Sequence, residues 1–148
     1  MAAGLVAKMG YKNVMVCSDG IPGWKNAGYP LNTDKSCPPT EIPPLSATQV
    51  KEKLGEAYLL DVRYEQSYKQ GFIKGSSKIP IYLLSKRVQE VPMGKPIIII
   101  DSHGNPRYIP AGWFLKGKGY SEVFMLQGGF DAWVKEGFPV EMSIGIQN

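Results

Sequence analysis

Apolar and polar positions between residues 46 and 140 follow two different periods, one typical of strands and one typical of helices. The run "AYLLDV" (57–62) and the run "SEVFML" (121–126) predict strands. "PIIIID" (96–101) is apolar at successive positions and rich in β-branched residues, which predicts a central parallel strand buried on both faces. A shorter extended piece is predicted at "SKIP".

Helical periodicity and capping residues predict the elements between the strands. Ser46, followed three residues later by Gln49, is a capping-box signal for the start of a helix. Further helices are predicted at 64–70, ended by Gly71, at 81–91, at about 107–117, and at 130–137, closed by Gly137. Strands that alternate with helices predict an α/β domain, with a central parallel sheet covered by helices on both faces.

The beginning of the chain repeats its end. "GYKNVMVCSDGIPGWKNAGYPL" (10–31) aligns without a gap with "GYSEVFMLQGGFDAWVKEGFPV" (119–140). The identical pairs are Gly10/Gly119, Tyr11/Tyr120, Val14/Val123, Gly20/Gly129, Trp24/Trp133, Gly28/Gly137 and Pro30/Pro139. The first copy holds only a helix, a strand and a helix, so it is a partial repeat.

These patterns predict four regions. Residues 1–31 form the partial repeat, 32–45 a Pro-rich linker, 46–140 the α/β domain, and 141–148 a C-terminal tail. The partial repeat is too short to bury its apolar side chains alone. We therefore expect it to contact the α/β domain, a protein partner, or a second copy of the chain, which would make a homodimer.

Several motifs of the α/β domain together resemble the rhodanese family. They are Asp-Val-Arg at 61–63, Gly-x-Ile-x-Gly at 71–75, Ile79-Pro80, and Gly128-Gly129 followed by Trp133. The resemblance covers residues 46–140 and implies a rhodanese-like fold. Residues 1–31 then resemble the tail of a preceding rhodanese unit, because the family commonly occurs as tandem units.

The loop after the central strand carries the chemistry in this family. Rhodaneses take part in sulfur metabolism by moving a sulfane sulfur on a cysteine at the end of that strand, and the resemblance places Asp101 at this position. The degenerate loop continues with Ser102, His103, Gly104, Asn105 and Arg107, and is one residue longer than usual, with Pro106 as the insertion. A different gap would place Ser102 at the nucleophile position. Neither side chain can form a persulfide.

Each polar loop residue also has a structural interpretation. Asp101 can cap the following helix and fill the anion site itself, whereas an aspartate nucleophile would need a metal or a second acid. His103 is either a general acid or base or an exposed loop residue. Arg107 either binds an oxyanion or pairs with Asp101 or Asp61. Arg63 and Asp61 are expected to hold loops at the sheet edge, and Phe72 replaces the histidine that the family often has there.

Two thiols remain as alternatives. Cys17 matches Leu126 in the repeat, at the C-terminal end of a strand. In such folds the active site lies at the C-terminal ends of the strands. A buried, inert thiol is the favoured interpretation of Cys17. Cys37 lies in the Pro-rich linker and is expected to be exposed.

Composition excludes several classes of function. The chain has 148 residues, a net charge of +4, scattered lysines, two cysteines and one histidine. We expect no nucleic-acid site, no multi-histidine metal site, no cofactor and no disulfide framework. No apolar run is long enough for a membrane span and no signal peptide is recognisable, so a cytoplasmic location is expected.

The sequence therefore favours a catalytically degenerate rhodanese-like domain that acts as a binding or regulatory module, within a tandem array or by self-association. The alternative is an enzyme, namely a rhodanese-type sulfurtransferase or sulfur carrier. It would take sulfur from thiosulfate or polysulfide onto Cys17, Cys37 or a partner's thiol.

Overall fold

A computed structural model describes residues 7–15, 20–30, 41–103 and 106–142. The chain divides into two units, Met1–Pro38 and Pro39–Asn148. In the first unit, helix α1 spans Gly20–Asn26.

The second unit alternates strands and helices. Its elements are β1 (Pro44–Leu45), α2 (Ala47–Glu52), β2 (Tyr58–Asp61), α3 (Glu65–Tyr68), β3 (Phe72–Ile73), β4 (Ser77–Lys78), α4 (Ile81–Arg87), a 3-10 turn (Val88–Glu90), β5 (Ile97–Ile100), α5 (Tyr108–Gly117), β6 (Val123–Leu126), α6 (Gly129–Lys135) and β7 (Val140–Glu141).

Five strands form one parallel sheet in the order β1-β6-β5-β2-β4. Strands β3 and β7 form a separate antiparallel pair. The parallel sheet with its helices confirms the predicted fold class. Because parallel strands present their carboxyl ends at one edge, the loops after β2, β5 and β6 meet there.

The central strand β5 supplies both halves of the core. Its four isoleucines are completely buried. Ile97 and Ile99 face a cluster that includes Leu84 of α4 and Leu115 of α5. Ile98 and Ile100 face the opposite cluster, which includes Val50 of α2 and Trp133 of α6. Alternate side chains point to opposite faces of a strand, so helices on both sides of the sheet are held by one run of apolar residues.

The predicted linker ends earlier than the sequence suggested. Strand β1 pairs with β6, and Ile42 is buried in the core. The Met125 amide donates to the Pro43 carbonyl at 3.0 Å, and the Gln127 amide donates to the Leu45 carbonyl at 2.8 Å. Prolines in an edge strand need only accept hydrogen bonds, which explains why a Pro-rich stretch belongs to the sheet. At the other end Glu141, assigned to the tail, pairs with Phe72.

The two copies of the repeat share local contacts. The Trp24 indole donates to the Pro30 carbonyl at 3.1 Å, and the Trp133 indole donates to the Pro139 carbonyl at 3.0 Å. The ring centres of Trp24 and Tyr29 lie 4.8 Å apart. The ring centres of Trp133 and Phe138, the residues that match them in the second copy, lie 5.0 Å apart.

The strand predicted in the first copy is not seen at the described residues 11 to 15, and its continuation at 16–19 lies outside the described residues. A strand needs a hydrogen-bonded neighbour, and the described part of this unit provides none.

None of the helices in the described parts of the chain combines the length and the apolar character that a membrane crossing requires.

The start of α2 generates a prediction. The Ser46 hydroxyl accepts from the Gln49 amide, and the Gln49 side chain accepts from the Ser46 amide, as the capping-box signal predicted. Ser46→Ala should lower the free energy of unfolding by about 1 kcal/mol in urea titrations, because an amide of the first turn loses its acceptor. Ser85→Ala, at an exposed position inside α4, should change it by less than about 0.5 kcal/mol. Equal losses would show that the cap contributes nothing.

Candidate functional site

The chain leaves β5 at Asp101, whose backbone is fixed by the start of α6. The Phe130 amide donates to the Asp101 carbonyl at 2.7 Å. Gly129 allows this approach, because a Cβ at this position would lie 2.3 Å from the Asp101 carbonyl oxygen, and its φ is +63°. The loop after β6 therefore determines where the loop after β5 begins.

The Asp101 carboxylate is buried, with 3% of the residue exposed, and one of its oxygens accepts two hydrogen bonds. Oδ1 accepts from the Ser102 amide at 2.7 Å and from Arg107 Nε at 2.9 Å, and Arg107 Nη2 forms an ion pair with the same oxygen at 2.7 Å. Oδ2 is buried and has no hydrogen-bond partner among the described residues. Among the described residues of the loop, the carboxylate thus accepts from Ser102 and Arg107 through Oδ1 alone.

Arg107 is held by Asp101 and not by Asp61. Burial alone would lower the pKa of Arg107, but the hydrogen bond and the negative charge of Asp101 outweigh it and raise that pKa. The guanidinium carbon also lies 4.7 Å from the centre of the Tyr64 ring. The Tyr64 ring stacks on the Tyr82 ring, with 6.2 Å between the ring centres. The guanidinium of Arg107 is therefore already paired with the Asp101 carboxylate and packed against the Tyr64 ring.

The other polar loop residues form no catalytic dyad among the described residues. The His103 amide donates to Asp131 Oδ2 of α6 at 2.8 Å, and His103 is exposed. Ser102 is half-buried and contributes its amide to Asp101. Gly104 and Asn105 lie outside the described residues, as do the two thiols Cys17 and Cys37.

A second, fully buried ion pair supports the site from the loop after β2. Arg63 donates through Nε to both oxygens of Asp61 at 2.9 and 3.1 Å, and through Nη2 to Asp61 Oδ2 at 2.7 Å. Nη2 also donates to the Gly71 carbonyl at 2.9 Å. The guanidinium carbon lies 3.9 Å from the centre of the Phe130 ring. Asp61 and Arg63 thus hold loops at the sheet edge, as the sequence indicated.

Tyr68 completes this arrangement. Its hydroxyl donates to the carbonyls of Asp61 at 3.0 Å and Arg63 at 2.8 Å. Burial and the nearby Asp61 carboxylate raise the pKa of Tyr68, so it stays a neutral donor. Neither Tyr68 nor Tyr64 was singled out from the sequence, because their partners are backbone groups and a loop distant in sequence.

A metal site is not apparent in the described ranges. No group of three or more histidine, cysteine, aspartate or glutamate residues within them could hold an ion.

Comparison with known proteins identifies the family of the α/β domain. The family model described as "Rhodanese-like domain" matches residues 46–136. Thiosulfate sulfurtransferase GlpE of Pseudomonas paraeruginosa is 32% identical over 104 residues, which cover 70% of this chain and 91% of that protein.

Solved structures give the same relationship. The rhodanese-related protein of Thermoplasma volcanium superimposes with a TM-score of 0.62 at 31% identity, covering 68% of this chain and 99% of that one. Reduced CoADR-RHD of Bacillus anthracis superimposes with a TM-score of 0.57 at 35% identity, covering 62% of this chain and 16% of that one.

The contact between Gly129 and Asp101 generates a prediction. Gly129→Ala should lower the free energy of unfolding by about 3 kcal/mol, because the methyl group would collide with backbone and the residue would keep a strained φ. Gly94→Ala is the matched control, since Gly94 has a φ of +84° and open space around its Cβ position. We expect a loss of roughly 1 kcal/mol there, from backbone strain alone. Similar losses in urea unfolding would contradict the close approach.

Proposed function

Because the chain belongs to the rhodanese-like domain family, we propose that its α/β domain does not carry sulfur on the loop after β5 and acts as a binding or regulatory module. One observation carries this proposal. The residue at the head of the loop is Asp101, and its buried carboxylate is bonded to Arg107 and to the Ser102 amide.

The chemistry of sulfur transfer requires a different residue at this place. A thiolate attacks the donor sulfur, holds it as a persulfide and gives it up to a second nucleophile. A carboxylate cannot form that bond. It also repels an anionic donor, and it already holds the guanidinium that such a donor would need. The named relative acts on thiosulfate, an anion that this loop is poorly suited to accept.

The alternative function is sulfur transfer through another thiol. Similarity to a thiosulfate sulfurtransferase favours it. The thiol would be Cys17, Cys37 or a cysteine of a partner, and in each case the sulfur would bypass Asp101.

We also propose that residues 1–31 provide the surface through which the module meets a protein partner or a second copy of the chain. Trp24 makes the same two local contacts as Trp133. Trp133 is 1% exposed because it lies in the core of its own unit. Trp24 is at least 45% exposed when its own unit is considered alone. The tryptophan that is buried in the second copy of the repeat is thus exposed in the first copy, where its own unit does not cover it.

The sulfur chemistry can be tested directly. The native chain should show no thiosulfate:cyanide sulfurtransferase activity above background, because the loop has no thiol. After treatment with thiosulfate or polysulfide, intact mass spectrometry should show no sulfur adduct that cyanide removes. Asp101→Cys should fold and gain slow formation of such an adduct, since the strand and Arg107 remain in place.

Two results would overturn this expectation. An adduct on native protein that disappears in Cys17→Ser or Cys37→Ser would establish the alternative function. Turnover that survives both substitutions together would contradict the requirement for a thiol on this chain.

The proposed interaction surface gives a further prediction. Deletion of residues 1–35 should leave a folded α/β domain, because its two core clusters lie entirely within residues 42–138. Light scattering after size-exclusion chromatography should show a monomer for the truncated chain. The full chain should show a larger assembly or bind a partner, and Trp24→Ala should abolish that association. A monomeric full chain with fast amide exchange at residues 12 to 17 would contradict the proposal.

A further inference from the structure

A cavity of about 470 Å³ lies at the edge of the α/β domain where strand β2 begins. Because Leu54 and Ala57 precede β2 whereas Asp101 follows β5, the cavity is at the opposite edge of the sheet from the candidate site. Three segments form its walls, namely the turn between α2 and β2, the turn after β3, and the residue before β7. The lining residues are Leu54, Gly55, Ala57, Leu59, Ile73, Lys74, Gly75, Trp133 and Pro139.

Backbone contacts hold these three segments in place. The Ala57 amide donates to the Lys53 carbonyl at 3.0 Å, which fixes the turn before β2. The Trp133 indole donates to the Pro139 carbonyl at 3.0 Å, and strand β3, which precedes Lys74, pairs with β7. The cavity is therefore preformed, and its volume falls in the range of small-molecule sites.

The accessible part of the walls is apolar. Leu54 is 42% exposed, Pro139 is exposed and Ala57 is half-buried. Beneath them, Leu59 and Trp133 form a buried floor. An apolar body placed in the cavity would remove the surface of Leu54, Ala57 and Pro139 from water, which stabilises the bound state.

One charged side chain, that of Lys74, lines the cavity. The Lys74 side chain is 81% exposed, and its Nζ lies 3.9 Å from Glu141 Oε1. An exposed ion pair at this distance contributes little, so the ammonium is available to an anion at the rim. Glu141 and the exposed Glu56, which lies between two lining residues in the chain, add negative charge nearby. A dianion would meet more repulsion there than an anion with a single charge.

We propose that this cavity binds a monocarboxylic acid with an apolar body. The body packs against Leu54, Ala57 and Pro139, and the carboxylate pairs with Lys74. The site uses no residue of the loop that carries Asp101, so this inference goes beyond the function proposed above and is independent of it.

Three probes of nearly equal shape test the proposal. Octanoate carries one negative charge, octanamide is neutral and octylamine is a cation. Titration of the full chain below the micellar concentrations should show octanoate binding about threefold to fivefold more tightly than octanamide, with octylamine weakest. The indole ¹H–¹⁵N signal of Trp133 and the amide signals of Ala57 and Gly75, which all line the cavity, should shift.

Lys74→Glu is the decisive variant. The exposed side chain makes few contacts, so the variant should fold, and the preference should reverse, with octylamine bound more tightly than octanoate. Lys69→Glu is the matched control, because Lys69 is exposed, carries the same charge and does not line the cavity. It should leave the order of the three probes unchanged.

A second pair of variants tests the apolar wall. Leu54→Gln should weaken octanoate and octanamide alike by about threefold, because both lose the same apolar contact. Met93→Gln is the control, since Met93 is 61% exposed and lies outside the cavity. It should change neither affinity.

Several results would overturn the assignment. These are the absence of octanoate binding, octanoate that binds no more tightly than octanamide, or signal shifts confined to other parts of the chain. The assignment would also fail if Lys74→Glu had no more effect than Lys69→Glu, or if Leu54→Gln had no more effect than Met93→Gln.

Discussion

The buried ion pair between Asp61 and Arg63 is the interaction on which the carboxyl edge of the sheet depends. Arg63 is almost fully buried, so its charge requires a partner, and Asp61 two residues earlier provides both carboxylate oxygens. The same guanidinium reaches the Gly71 carbonyl and lies against the Phe130 ring. One cation therefore joins the end of β2, the turn before β3 and the first turn of α6.

Through α6, this pair is connected to the loop that carries Asp101. Phe130 contacts Arg63 with its ring and the Asp101 carbonyl with its amide. Asp101 in turn holds Arg107, whose guanidinium lies over Tyr64, directly after Arg63 in the chain. The two ion pairs thus close a ring of contacts around the ends of β2, β5 and β6. In such a ring, a carboxylate at the head of the β5 loop acts as a fixed part of the scaffold.

The sequence predicts the strands and helices of the domain better than the side-chain contacts of the candidate site. Four consecutive isoleucines, the Ser46–Gln49 capping pair and the repeated Gly-x-x-x-Trp spacing are local patterns, and each corresponds to an observed element or contact. Strand β1 was missed because the prolines in it and before it have the composition of a linker, and only the Pro43 and Leu45 carbonyls, which accept from β6, show that it is a strand. The contacts of Arg63 with Phe130 and of Arg107 with Tyr64 join residues far apart in sequence. No period or motif in one chain encodes such pairs.

The proline of β1 also affects how copies of this protein can aggregate. Strand β1 is an outer strand of the sheet, and the Pro43 and Leu45 carbonyls accept from β6. Backbone groups alternate in direction along a parallel strand, so Pro44 faces outward, where it has no N–H to donate. Another chain that tried to extend the sheet at this edge, as in fibril growth, would find no amide at Pro44 to pair with. The opposite outer strand, β4, has only two residues. Both outer strands have two residues and therefore offer few backbone groups to an added strand.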